Sequence, residues 1–301
     1  MSKYKNIKIS IIGAGKLASS LMPALLDKNY KINSIFDIHK ESAAELAIKY
    51  NIKKYADALF DVDRETNLFF LTVPDSELKK VAGILSLLDL DYTECLFVHC
   101  SGSRNVRVLD ALREKGANVA SFHPMQTFPS RKKVSLKNNY VAIESDNTAI
   151  TEYLEEIAND LELLPIRLKP EEKVYYHLLG VFASNFLSAN MFEAESCNEL
   201  IEGAIPDIYK LLKPIVNATY ANISKNGAVE SLSGPIERGE FETVEMHVNA
   251  LHNNNELKLH YLANSLTLLE AAHSKGTLSE REYGRLKLYL TTELKDLTLR
   301  L

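Results

Sequence analysis

Short apolar runs alternate with stretches of helical spacing through the first half of the chain, and a glycine or a polar turn separates each pair. The sequence ISIIGAGKLASSL over residues 9–21 reads as a buried strand that breaks on glycine and enters a helix over Lys16–Asp27. Further strands are predicted at Lys31–Phe36, Leu68–Val73, Cys95–His99, Asn118–Phe122, Tyr140–Glu144 and Leu163–Leu168. Helices are expected near Lys40–Tyr50, Ser76–Leu88, Asn105–Lys115 and Thr148–Asp160. Such alternation predicts an α/β fold, a doubly wound and mostly parallel sheet with ligands outside the carboxyl ends of its strands. From Pro170 the strand signals stop, and helices broken near Gly203–Pro206, Lys225–Gly227, Gly234-Pro235, Asn253–Asn255 and Lys275–Thr277 take over. The pattern predicts two domains, a nucleotide-binding one over 1–169 and an all-helical one over 170–301 that carries substrate contacts and dimerisation.

The opening turn has the spacing of a dinucleotide site. Gly13 permits the tight turn, Gly15 lets the backbone approach a pyrophosphate, and Ala18 allows close packing of helix on strand. Lys16 and Leu17 then lie at the helix start, where free N–H groups meet phosphate. Asp37 ends the second strand, near the separation of about 20 residues expected of the acidic group that binds ribose. Such a carboxylate suits NAD, while His39 and Lys40 directly after it offset its charge toward the 2′-phosphate of NADP. Val73-Pro74 ends another strand where the cofactor's ring or ribose would lie. An ordinary glycine turn is the plain alternative; the flanking strand, the helix and Asp37 favour the nucleotide.

Composition narrows the class without naming a reaction. The 301 residues are 46% hydrophobic and 25% charged, the profile of a soluble globular protein. A net charge of −5 without a basic tract argues against nucleic acid or an anionic membrane as partner. Cys95, Cys100 and Cys197 have no metal-ligand spacing, so no metal is expected, and they point to a reducing, cytoplasmic setting. No apolar run approaches the 18 or so residues of a membrane span.

The stretch EEKVYYHLLGVFASNFLSANMF over 171–192 is apolar on most faces and reads as a buried helix, with Pro170 at its first position. At about 100° per residue, Lys173, His177, Ser184 and Ser188 share one side, with Asn185 at the margin. A buried helix does not hold ionisable groups without partners, so this stripe faces something polar. Ser101-Gly102 and His123 leave other strand ends, where Ser101 either holds a substrate carbonyl or caps the next helix. Arg238, beside Gly234-Pro235, suits a carboxylate. Tyr209 and Lys213 have a Tyr-x-x-x-Lys spacing by chance, because they lie outside the sheet domain.

Three blocks in order carry a resemblance: HCSGSRNVRVLDALREKGANVASFHPMQTF, LKPEEKVYYHLLGVFASNF and LSGPIERGEFETVEMHV. They resemble domain-of-unknown-function family 2520 in the 6-phosphogluconate dehydrogenase-like superfamily, whose members join a Rossmann domain to a helical one. The family includes PanG-type ketopantoate reductases. The resemblance implies an NADP-dependent reductase, with NAD possible, acting on a small 2-oxo acid, best 2-dehydropantoate; separately, a helical second domain rich in Leu, Tyr and Ala suggests a homodimer joined through its C-terminal helices. It implies that Lys173, which matches the superfamily lysine, or His177, which replaces the asparagine four residues on, handles the proton. Ser101, Gly102, His123, Ser184, Asn185 and Arg238 would then hold the substrate. The alternatives are reduction of a cyclic imine, as in pyrroline-5-carboxylate reductases, and a nicotinamide sensor without turnover.

Overall fold

The computed structural model describes residues 7–299. Its strands are β1 (Lys8–Ile12), β2 (Lys31–Phe36), β3 (Lys54–Ala56), β4 (Leu68–Leu71), β5 (Leu96–His99), β6 (Asn118–Pro124), β7 (Tyr140–Glu144) and β8 (Leu164–Arg167). They form one sheet in the order β3-β2-β1-β4-β5-β6-β7-β8. Every neighbouring pair is parallel except β6 and β7, which run antiparallel with His123 opposite Ala142. Strand order turns back on itself between β1 and β4, so the glycine turn after β1 lies at a topological switch point, where this class of sheet binds ligands.

Successive strand residues face opposite sides, and each side has its own helices. The helices of this part are α1 (Ala18–Asp27), α2 (Lys40–Lys49), α3 (Leu78–Leu85), α4 (Asp110–Arg113), α5 (Thr148–Asp160) and α6 (Lys173–Gly180). Ile9, Ile11, Leu68, Phe70 and Val98 pack with Leu21 of α1, Leu46 of α2 and Leu154 of α5. Ile12, Phe69, Leu71 and Phe97 pack with Leu78 of α3 and Leu112 of α4 on the other side. Cover on both faces explains why these strands read as continuous apolar runs.

Several expected boundaries move. Strand β3 was not predicted; it is three residues long at the sheet's edge. The helix expected over Asn105–Lys115 is a 3-10 turn, Val106–Leu109, followed by α4, with the Asn105 side chain accepting a 3.2 Å bond from Arg107 N. Pro170 does not open a helix. The Glu172 carboxylate accepts from Lys169 N at 2.9 Å and closes a turn, so α6 starts at Lys173.

The predicted long helix is also interrupted and mostly exposed, not buried. After α6 the backbone widens into a π-turn, Val181–Asn185, before α7 (Phe186–Glu199). Lys173 and Tyr176 are buried, whereas Tyr175, Leu178, Leu179, Phe182 and Phe186 are exposed. Apolar content pointed to burial, but nothing in the described chain covers these side chains. The π-turn also breaks the 100° arithmetic beyond Val181, so the predicted stripe cannot be extended through it by spacing alone.

The chain divides into two compact units, residues 1–187 and 188–301. The second is wholly helical: most of α7, then α8 (Ile208–Asn226), α9 (Phe241–Ala250), α10 (Asn255–Lys275) and α11 (Glu280–Thr298). Val244, Val248, Leu262, Leu269, Leu286 and Leu290 make its core. Ser279 and Glu282 cap α11 reciprocally, and Gly276, in the left-handed region, ends α10. Among the described residues, no helix is long and apolar enough to cross a membrane.

Candidate active site

The glycine turn is fixed by its neighbours. Gly13 has φ 105°, donates to Phe36 O at 2.7 Å and accepts from Thr72 Oγ1 at 2.6 Å. Any side chain there would strain the backbone, and its Cβ would stand 2.9 Å from the Thr72 carbonyl carbon. Gly15 is the opposite case, since a Cβ there would meet nothing within 4 Å. The N-cap of α1, Leu17, offers no side-chain acceptor, and no acidic residue stands in the first turn. Ser19 N and Ser20 N donate to Gly15 O and Leu17 O, so the N–H groups that could meet an anion are those of the turn just ahead of them. An open glycine beside an uncapped helix start fits a dinucleotide's pyrophosphate.

Asp37 is turned partly to this turn itself. Its Oδ2 accepts from Ala14 N at 2.7 Å and its Oδ1 from His39 N at 2.8 Å, which ties the ends of β1 and β2 together. Lys40 stands 3.9 Å from Asp57 on an exposed edge. Val73 lies against the glycine turn, with its Cγ1 3.0 Å from where a Gly13 Cβ would be.

The chemistry gathers at the far ends of β5, β6 and β7. Lys173, only 1% exposed, reaches the sheet from the first turn of α6. Its Nζ donates to Ser121 Oγ of β6 and lies 3.4 Å from Glu144 Oε2 of β7. Glu144 is itself buried, and its Oε1 accepts from Val106 N at 3.0 Å. Burial disfavours the ammonium and lowers the Lys173 pKa to about 8, although Glu144 works in the other direction. An amine so placed gives up its proton readily near neutral pH. Beside it, the Cys100 thiol is pushed up to about 12 by burial and stays protonated.

Two histidines converge a short way off. His123 Nδ1 lies 3.0 Å from Cys100 O; a carbonyl only accepts, so Nδ1 carries the proton. Burial first, then the Lys173 charge, lowers its pKa to about 4, against the Cys100 carbonyl, which raises it. His177, on α6, is 6.1 Å from His123 between ring centroids. A Cβ on Gly102 would stand 2.5 Å from His177 Nδ1 and 2.6 Å from His123 Nε2. The orienting partners of Lys173 are thus Ser121 and Glu144, while His177 turns to Gly102.

Ser101 is committed to its own loop. Its hydroxyl donates to Asp75 Oδ2 at 2.7 Å and accepts from Ser103 N and Arg104 N. Ser184 and Asn185 lie in the π-turn, where Asn185 is exposed. Arg238 belongs to the second unit, and its guanidinium is paired with Glu240 at 2.7 Å. Among the described residues, no group of three or more His, Cys, Asp or Glu side chains is arranged to hold a metal ion.

Residues 2–124 match the model of a Rossmann-like domain, and residues 139–267 match the domain of unknown function DUF2520. The chain joins a Rossmann-like domain to a DUF2520 domain. No curated protein matches it. Among solved structures it is similar to a candidate NADP oxidoreductase from Bacteroides fragilis, with 26% identity and TM-score 0.76 over 89% of this chain and 100% of that one. It is also similar to a Thermotoga maritima protein, with 25% identity and TM-score 0.68 over 89% and 99% of the two chains. An imine reductase from Myxococcus stipitatus, solved with NADP+, shares the fold at 15% identity and TM-score 0.65 over 93% and 99%.

The lysine cluster straddles the two matched segments. Ser121 and His123 come from the Rossmann-like part, whereas Glu144, Lys173 and His177 come from the DUF2520 part. The sequence reading missed Ser121, Glu144 and Asp75 as partners. Glu144 carried one signal, a carboxylate closing an otherwise apolar strand; Ser121 carried none. His99, fully buried with no hydrogen-bond partner at Nε2, was missed as well, and burial holds its pKa well below the usual imidazole value.

Proposed function

We propose that this protein is an NADPH-dependent reductase of a small 2-oxo acid, with 2-dehydropantoate the substrate favoured by the sequence resemblance. One observation carries the reading: a buried lysine with its pKa near 8, held between Ser121 of β6 and Glu144 of β7 in the same sheet whose β1 runs into the glycine turn. Gly13, Gly15 and the start of α1 hold the pyrophosphate, and Asp37, His39 and Lys40 surround the adenosine end. Bound NADPH supplies a hydride. Lys173 gives its proton to the oxygen that becomes the alcohol, Ser121 and Glu144 keep its Nζ in place, and its burial keeps it a stronger acid than an exposed lysine.

NADP oxidoreductases among the similar folds support the cofactor, and the substrate rests on the resemblance alone. The exposed apolar side chains of α6 and the π-turn support a homodimer in which a second copy covers them. The test is NADPH oxidation against a panel of 2-oxo acids and cyclic imines. Turnover of 2-oxo acids with kcat/KM highest for 2-dehydropantoate is expected. Turnover confined to imines would replace the substrate class, and binding of NADPH with no turnover on any member would make the protein a sensor.

A further inference from the structure

The connection between β6 and β7, residues 125–139, has no regular structure, yet it is tied down along its length. Phe128 and Leu136 pack on the core beneath it, Val134 N donates to Ser20 Oγ of α1 at 2.9 Å, and Lys133 pairs with Asp27 at the end of α1 at 2.8 Å. Between these ties Arg131 reaches α2. Its Nη2 donates to Ser42 O at 3.0 Å, and its Nη1 to Glu45 Oε2 at 2.9 Å and Ser42 Oγ at 3.5 Å. One strap thus holds both of the helices that follow β1 and β2. The turns before those helices are where a dinucleotide's pyrophosphate and adenosine ribose belong.

A 2′-phosphate at the second of these turns meets unfavourable charge. Asp37, Glu41 and Glu45 lie at the turn or on the start of α2, and Asp57 stands 3.9 Å from Lys40. Lys40 is a weak answer to four carboxylates. Arg131 brings a permanent cation to the same helix turn from 89 residues away, and a guanidinium takes phosphate oxygens in pairs. Its three bonds leave part of its set of five N–H donors unused, and Nε is buried without a partner. Turning the guanidinium onto an anion would satisfy a donor that the chain itself does not. The approach is open, since His39, Lys40 and Glu41 are exposed and the Arg131 side chain is 34% exposed. We infer that Arg131 reads the 2′-phosphate of NADP and sets the choice of NADPH over NADH. The strap between β6 and β7 is then a selectivity element for the cofactor. This rests on the NADP reading of the glycine turn and is independent of the substrate.

Fluorescence titrations with NADPH and NADH measure the choice directly and need no turnover. The wild-type protein should bind NADPH the more tightly. Arg131→Met keeps the apolar stem and should weaken NADPH roughly 10–10²-fold, the worth of a charge-assisted hydrogen bond, while NADH affinity stays as it was. Retained NADH binding also reports that the variant is folded. Arg131→Lys should recover part of the preference, because a lysine supplies the charge without the fork. Lys133→Met loosens the strap from α1 and spares the guanidinium, so its NADPH to NADH ratio should match the wild type. A ratio unchanged in Arg131→Met, or lost as fully in Lys133→Met, overturns the assignment and leaves the NADP reading standing. Equal weakening of both dinucleotides in Arg131→Met overturns it too, since the strap would then be shaping the whole site. A wild-type protein that prefers NADH, or binds neither dinucleotide, removes the NADP reading and the assignment together.

Discussion

Gly13 and Gly15 are two residues apart and demand glycine for different reasons, which makes them separable by substitution. Gly13→Ala puts a Cβ into the Thr72 backbone at φ 105° and should cost about 1–3 kcal/mol of stability, read from urea unfolding. Gly15→Leu meets open space in the folded protein, so its unfolding midpoint should hardly move while NADPH binding disappears in a fluorescence titration. Retained affinity in a folded Gly15→Leu protein would contradict the cofactor site. Lys173 gives the second test at this scale. Lys173→Met keeps the apolar stem and removes the proton, so the reduction rate should drop roughly 10²–10⁴-fold with cofactor affinity unchanged. The donor must be protonated, so the wild-type rate should decline as pH rises through about 8. An unchanged rate in Lys173→Met, with the loss appearing in His177→Asn instead, would pass the role to His177.

At the scale of elements, Glu144 joins three: its own β7, the 3-10 turn at Val106, and α6 through Lys173. Glu144→Ala leaves a buried ammonium without its counter-charge, and such losses cost about 3–5 kcal/mol. The double variant Glu144→Gln with Lys173→Met should be less destabilised than its single losses add up to, which a double-mutant cycle by urea unfolding will show. Additive losses would mean the pair is not coupled. The sequence made the parallel core legible because strands covered on both faces must be apolar throughout. It hid β3, whose three residues carry no period, and it hid the partners of Lys173, because Ser121 and Glu144 come from strands far from it in the chain. The antiparallel β6–β7 pair was half legible: no helix was predicted between Pro124 and Tyr140, and a parallel return needs a crossover. The π-turn was illegible, since a local widening of a helix leaves no mark in the spacing of apolar residues.

At the scale of the molecule, what remains unexplained by one chain is apolar surface. Tyr175, Leu179 and Phe182 in the first unit are each more than 60% exposed, as are Phe192, Ile215 and Tyr220 in the second. Monomers rarely expose contiguous apolar patches larger than a few hundred Å², and side chains of this size placed on helices are what stable interfaces bury. A helix read as buried from its composition is bare in the single chain, and a second copy is the cover proposed for it. A symmetric pair places the same helix in both halves, so one substitution acts twice on the interface. Light scattering after size exclusion should give a particle of twice the chain's mass at micromolar concentration. Phe182→Glu should shift it toward the monomer in a concentration-dependent way, because each copy then brings a charge into the apolar contact. Secondary structure by circular dichroism should be unchanged, since Phe182 supports no core within its own chain. A wild-type protein that stays monomeric at every concentration would remove the second copy as the cover of these helices.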